Sequence, residues 1–369
     1  MQAPDTDRLN LILEDTPLID LRAPIEFAKG APTNAINLPL MTDQERAKVG
    51  TCYKKKGQEA AIKLGHQLVS GKTKDERLTA WKEALKQHPQ AIFYCFRGGL
   101  RSQTVQSWLS DAGIDVPILS GGYKQLRSWL SEKLDNIIAN REIVVLGGKT
   151  GCAKTELLHN MKPKRSPVIP IDLEGLANHR GSAFGRRVSP QPTQIGFEMA
   201  LASAVIKHTH EHPGKLLLED ESKLIGRCSL PPNLHDKMRT APLILVEESI
   251  DFRIEHSFQN YILKNHEEWV ASLDDPDAAF DAFSKSLTQS ADDISKRLGG
   301  QRHKQLRIML DAALKQHSKG DPNEHRSWIR MLLEDYYDPM YDYQLSNKIS
   351  RVEFRGNYAE VQVRLLSRD

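Results

Sequence analysis

A single cysteine, Cys95, sits behind the apolar run 91–95 and ahead of Phe96, Arg97, Gly98, Gly99, Leu100 and Arg101. A cysteine attacks as its thiolate, so what matters is how the surroundings treat negative charge. The Gly98–Gly99 pair lets the chain curl until successive backbone N–H groups point inward and form an anion nest. A helix expected to begin near Ser102, with that serine as its N-cap, adds partial positive charge, and Arg97 and Arg101 add full charges. A buried structural cysteine needs none of these features. The residues therefore predict a nucleophile, Cys95, held in an anion-binding loop over Phe96–Arg101. A papain-like hydrolase is disfavoured, because no histidine partner is evident from spacing.

A second stretch, Gly148, Lys149, Thr150, Gly151, Cys152, Ala153, Lys154 and Thr155, has the form of a phosphate-binding loop between a strand and a helix. The strict pattern places glycine before the lysine, where this chain has Ala153. Alanine is expected to border the helix with helical angles. Lys154 and the helix N-terminus would hold a diphosphate. The strand 216–220 ends in Glu219 and Asp220, a candidate metal-binding end. From Gly175 to Phe197 there is no acidic residue, while His179, Arg180, Arg186 and Arg187 concentrate positive charge. That suits a flexible loop gripping a nucleic-acid backbone or a diphosphate. The histidine-rich stretch His208–His212 has no further ligands in sight, and no metal site is expected there.

Elements that could position these residues follow from the apolar pattern. Short runs at 16–22, 34–40, 91–95 and 116–123 read as strands, with helices at 57–70, 75–87, 102–113 and 124–138 between and after them. Strands at 141–148, 166–177, 214–222 and 241–249 form a second alternating set. After about Ile250 the pattern is helical, with Leu306, Leu310 and Leu314 on one face and Trp269, Trp328 and Leu332 as further core points. The stretch 358–366 reads as a closing strand. The expected class is α/β with parallel sheets, divided at 1–135, 136–250 and 251–369, the last region helical and packed on the middle one.

The chain has 369 residues, 39% hydrophobic and 27% charged, as in an ordinary soluble globular protein. No apolar run reaches membrane-span length, and the first sixteen residues show no export pattern. Four cysteines without CxxC spacing predict reduced thiols in a cytoplasm. A net charge of only +3 confines any nucleic-acid site to a local patch.

The Cys95 loop resembles that of rhodanese sulfurtransferases, and 18–40, with Asp20, Arg22, Glu26 and Phe27, resembles their opening segment. Fused to the phosphate loop, the whole resembles the bacterial tRNA 2-selenouridine synthases, on 95–102, 147–155, 172–185, 216–222 and the basic run 53–66. The resemblance implies a rhodanese-like α/β domain and a P-loop-like α/β domain. It implies a selenotransferase and geranyltransferase acting on 2-thiouridine of the 5-methylaminomethyl type, at wobble position 34 of tRNAs for lysine, glutamate and glutamine. The substrates would be selenophosphate and geranyl diphosphate, with no tightly bound cofactor, magnesium left open, and a selenophosphate-producing enzyme as a potential partner. Cys95 would carry or present selenium, and the phosphate loop would hold diphosphate. Two other readings stay open: an ATP-dependent tRNA sulfur-transfer enzyme, and a redox-sensing RNA-binding protein.

Overall fold

The computed structural model describes residues 5–161 and 166–367. They form two compact units, 1–137 with 193–207, and 138–192 with 208–369. The units thus depart from three consecutive blocks. Most of the helix Gln194–Thr209, sequentially in the middle block, belongs to the first unit. Gly30 shows why: with φ 139°, a Cβ there would lie 2.7 Å from the Ile195 side chain. Thr193 also donates from its hydroxyl to the Lys29 carbonyl at 3.0 Å.

The first unit holds a parallel sheet of β1 (Leu18–Asp20), β2 (Ala35–Asn37) and β3 (Ile92–Tyr94), in the order β2-β1-β3. The strand expected at 116–123 shrinks to one parallel bridge between Phe93 and Ile118. Helices Gly71–Gln87, Leu100–Ser110 and Gly122–Asn140 follow the sequence pattern. The helix expected from Gly57 begins instead at Asp43 and runs to Leu68, with a break at Gly57 (φ 83°, ψ −177°). Its start is set by a capping box in which Thr42 and Glu45 satisfy each other's backbone N–H. Asp20 and Arg22 form a fully buried pair at 2.6 Å, the Tyr94 hydroxyl donates to Asp20 at 2.6 Å, and Arg22 lies 3.7 Å over the Tyr123 ring. This network fixes the end of β1 beside the end of β3.

The second unit is built on a five-stranded parallel sheet: β4 (Ile143–Gly148), β5 (Val168–Ile171), β6 (Lys215–Glu219), β9 (Leu243–Val246) and β10 (Val352–Gly356). A small hairpin, β7 (Leu224–Ile225) with β8 (Cys228–Ser229), follows β6. The order is β10-β9-β4-β6-β5, so β4 is central and its C-terminal end lies at the crossover point where such sheets bind ligands. β4 is buried at every residue, as a strand covered on both faces must be. The stretch 358–366 is a helix, Tyr358–Leu366, not a strand. Asn357 caps it with Glu360, and Val361 and Leu365, four residues apart, are the positions that bury. The closing strand is β10, just before it. Between β9 and β10 the helical region forms its own core, including Phe258, Phe283, Leu306, Leu310, Trp328 and Leu332, with Trp269 and Leu314 packed against it. Among the described residues no helix is long and apolar enough to cross a membrane.

Candidate active sites: the Cys95 loop and the phosphate loop

Cys95 follows β3 directly and is 3% exposed. The loop after it is held by its carbonyls: Cys95 O accepts from Tyr123 N and Phe96 O from Lys124 N, both at 3.0 Å. Gly98 (φ 63°) packs so closely that a Cβ would lie 2.8 Å from both Leu119 O and Gly121 N. With the carbonyls turned outward, the N–H groups of Phe96, Arg97, Gly98 and Gly99 have no partner among the described residues. Phe96 and Arg97 are exposed and Gly98 and Gly99 half-buried, so these donors are open to an anion or to water.

Two expectations about this loop change. The helix starts at Leu100 with Gly99 as its cap, so Ser102 lies inside the first turn, fully buried, and does not cap it. Its hydroxyl has no hydrogen-bond partner among the described residues. Arg101 is not aimed at an anion: it pairs with Glu26 at 2.8 Å, and Arg46 reaches the same carboxylate at 2.9 Å. Burial alone would raise the Glu26 pKa, but Arg101, the Ala23 N–H and Arg46 outweigh it and lower the pKa. Arg97 is exposed and has no ion-pair partner among the described residues.

The phosphate loop follows β4. Gly148 (φ 147°) and Gly151 (φ 86°) take positive φ, and so does Ala153, at φ 62° and ψ 30°. The expectation of helical angles at Ala153 is therefore wrong. This is the left-handed conformation that a glycine would adopt freely, and the helix begins only at Lys154. The Lys154 ammonium folds back and donates to the Gly148 carbonyl at 2.8 Å. Thr155 donates to Glu219 at 2.6 Å, so the carboxylate at the end of β6 meets the hydroxyl that follows the lysine. Asp220, its neighbour, pairs with Lys348 at 2.7 Å.

Glu174 and Glu221, which the sequence pattern does not place in the site, act on Lys154, and Glu219 joins them through Thr155 and the Glu174 N–H. Burial, followed by the Glu221 charge, pushes Glu174 up to about 8. Burial and Glu174 push Glu219 up to about 8, and burial and Glu219 push Glu221 up to about 7. Burial works against the Lys154 charge, yet Cys152, Glu174, Tyr341 and Glu221 outweigh it and raise its pKa. The site thus holds a firm cation among carboxyl groups whose proton affinity is raised by burial and by one another.

A clamp from the helical region, also unforeseen, closes the loop's other side. Arg253, 3% exposed, donates from Nε to the Thr150 carbonyl at 2.9 Å and grips Asp338 with both terminal nitrogens at 2.9 and 2.5 Å. Lys149 lies 3.0 Å from Asp342 and 3.5 Å from Asp338. No local pattern reveals these partners, because they lie 85 or more residues apart in the chain.

The basic stretch 175–197 is not a loose loop. Arg180 and Arg187 share Glu268 at 2.5 and 3.2 Å, and Arg186 pairs with Asp293 at 2.5 Å. His179 is buried and bridges to Arg186 through the backbone; burial and the three arginines lower its pKa. Arg186 and Arg187 remain partly exposed, but Arg180 serves to fasten the stretch to the helical region. In the stretch His208–His212, His212 Nδ1 accepts from the Gly214 N–H at 3.0 Å, a turn contact.

These two loops define a fused protein, one half rhodanese and the other half P-loop. Residues 5–129 match the family described as Rhodanese-like domain, and 141–368 match the tRNA 2-selenouridine synthase AAA domain. The chain belongs to the tRNA 2-selenouridine synthase family. It is 52% identical to a protein of that name from Hahella chejuensis, over 96% of this chain and 92% of that one. It is 48% identical to one from Shewanella frigidimarina over 96% and 95%, and 47% identical to one from Pseudomonas syringae pv. syringae over 98% of each.

Proposed function

We propose that this transferase converts 2-thiouridine at wobble position 34 of tRNA, of the 5-methylaminomethyl type and in the tRNAs for lysine, glutamate and glutamine, to 2-selenouridine. Selenophosphate is the selenium donor, and geranyl diphosphate first alkylates the sulfur. The observation that supports this most is the loop Phe96–Gly99. Its four partnerless N–H groups beside Cys95 suit a small oxyanion such as selenophosphate.

In the first step the thiouridine sulfur attacks C1 of the geranyl group. The C1–O bond breaks and the diphosphate leaves with its electron pair. The phosphate loop would receive it, Lys154 exchanging its Gly148 carbonyl for the leaving oxygens. Burial and mutual repulsion raise the pKa values of Glu174, Glu219 and Glu221, so these carboxyl groups take up protons more readily than usual and repel that anion less. Glu219 and Thr155 are the residues that would touch a magnesium ion carried in with the diphosphate. Among the described residues no group of three or more histidine, cysteine or carboxylate side chains could hold a metal by itself.

In the second step the selenium of selenophosphate attacks C2, geranylthiol departs after taking a proton, and water releases phosphate from selenium. Every atom in that sequence keeps its oxidation state. Moving selenium from selenophosphate onto Cys95 as a perselenide would need a two-electron oxidant, so Cys95 is assigned to presenting the donor rather than storing selenium.

The test is mass spectrometry of nucleosides from tRNA incubated with the protein, geranyl diphosphate and selenophosphate. Cys95→Ser should lose selenouridine while geranylthiouridine still forms, and Lys154→Ala should lose geranylation first. Absence of both products with the unaltered protein would overturn the reading. Full geranylation by Lys154→Ala would remove the diphosphate assignment.

A further inference from the structure

Within the first unit a cavity of about 770 Å³ opens beside the Cys95 loop. It falls inside the ~300–1,000 Å³ of small-molecule sites. The helix that follows Cys95 supplies Leu100, Arg101 and Thr104 to one wall. Both arms of the helix broken at Gly57 supply others, Val49 before the break and Ile62 after it. Leu40, Met41, Val49 and Trp108 line the cavity and pack in the same apolar cluster as Cys95. The lining is therefore mainly apolar, with Thr51, Gln58, His66 and Thr104 among its polar members.

Its mouth is cationic. Arg46 and Arg101 face a single carboxylate, Glu26, which leaves one positive charge in excess. Tyr53 and Lys54 line the rim, and Tyr53 is 58% exposed. Lys55 and Lys56 follow, and all three lysines are exposed with no ion-pair partner among the described residues. An exposed aromatic ring beside unpaired lysines suits a base stacked on the ring and phosphates held by the ammonium groups. The basic stretch 175–197, by contrast, spends its arginines on Glu268 and Asp293.

We infer that this cavity receives the flipped-out, S-alkylated nucleoside for the selenium step, and that Tyr53, Lys54, Lys55 and Lys56 hold the flanking RNA strand at its mouth. The inference rests on the two-step reading above. The apolar walls take the alkyl chain on sulfur, which brings C2 towards the loop where selenophosphate is presented. The same pocket would shield the departing thiol from water.

The experiment uses the full chain and two probes: tRNA geranylated beforehand by the unaltered enzyme, and the same tRNA still carrying its free 2-thiouridine. Ile62→Trp, which fills the cavity, should lower selenation of geranylated tRNA about tenfold or more relative to geranylation by the same variant. Thermal unfolding checks that Ile62→Trp folds. The triple change Lys54→Ala, Lys55→Ala, Lys56→Ala should flatten the log–log salt dependence of binding by roughly two to three, about one per lost phosphate contact. Tyr53→Ala should weaken binding of tRNA where Tyr53→Phe does not. Undiminished selenation by folded Ile62→Trp, or an unchanged salt slope in the triple variant, would overturn the inference. Failure of the unaltered enzyme to selenate geranylated tRNA at all would instead overturn the two-step reading.

Discussion

Asp338 and Arg253 offer a direct test of how the helical region holds the phosphate loop. Asp338→Asn leaves the Arg253 guanidinium in place, 4% exposed and without its counter-charge. Breaking a buried pair from one side costs ~3–5 kcal/mol. Asp338 is 18% exposed and asparagine still accepts one hydrogen bond, so about 3 kcal/mol is expected. Arg253→Met should cost less, about 2 kcal/mol, because Asp338 keeps Lys149 at 3.5 Å. The double variant should lose about 2–3 kcal/mol rather than the sum of about 5, a coupling of about 2–3 kcal/mol. At ~2–4 °C per kcal/mol for a domain of this size, Asp338→Asn should lower the unfolding midpoint of the second unit by roughly 6–12 °C in calorimetry. The same variants separate stability from loop geometry. Asp338→Asn retains the Arg253 Nε bond to the Thr150 carbonyl, whereas Arg253→Met removes it, so geranylation should suffer more in the second. Additive single-variant losses, with coupling below about 0.5 kcal/mol, would refute the clamp.

Two further outcomes follow from single residues. Ala153→Gly relieves a left-handed strain of ~1–2 kcal/mol, but loses a buried methyl worth ~0.8 and adds ~0.4–1 of unfolded-chain entropy. Stability should therefore change by less than about 1 kcal/mol, and a chemical denaturation midpoint that moves by much more would show the methyl to be a packing element. His317 and His325, in contact at 3.2 Å, have pKa values lowered by burial first and then by a neighbouring histidine, to about 4 and about 3. Their folded values lie below the unfolded value of ~6.5, so the folded state binds fewer protons. Their contribution is present above pH ~6.5 and is lost as pH falls towards 4, by up to ~1.4 kcal/mol per pH unit for each. The raised glutamates near Lys154 act in the opposite sense over part of this range, so the measurement is the unaltered protein minus the double variant His317→Gln, His325→Gln. That difference should shrink from pH 7 to pH 5, and a constant difference would contradict the assignment.

What the residues disclosed in advance was local. β1, β3, β4, β6 and β9 are apolar runs because a parallel sheet buries both faces, and each was legible as a strand. Both loops were legible because glycine, cysteine and lysine at close spacing carry their geometry with them. Tyr358–Leu366 misled because Val361 and Val363 alternate like a strand, while the true signal was the Asn357–Glu360 cap. Thr42 and Glu45 announced a helix in the same way. The Arg253 clamp and the pairing of Arg180 with Glu268 could not be read from spacing. Each depends on which distant helix packs where, and sequence distance carries no such information.

The diversion of Arg101 to Glu26 changes how the Cys95 loop must work. With one of its two arginines already neutralised, the loop's attraction for an anion falls mainly to the four backbone N–H groups of 96–99 and to exposed Arg97. Backbone donors fixed by a glycine turn cannot collapse onto a carboxylate of their own, so they stay available between turnovers. The phosphate loop follows the same plan: a strand end, positive-φ residues at 148, 151 and 153, and a helix start. It differs in its central side chain. Lys154 brings a full positive charge among carboxyl groups that can hold protons, suited to a highly charged diphosphate that must leave. Cys95 brings a polarisable sulfur in an apolar cluster, suited to a soft selenium donor that must be presented to carbon. On the proposed function, one backbone device supplied with two different side chains would serve two anions of unlike chemistry on one chain.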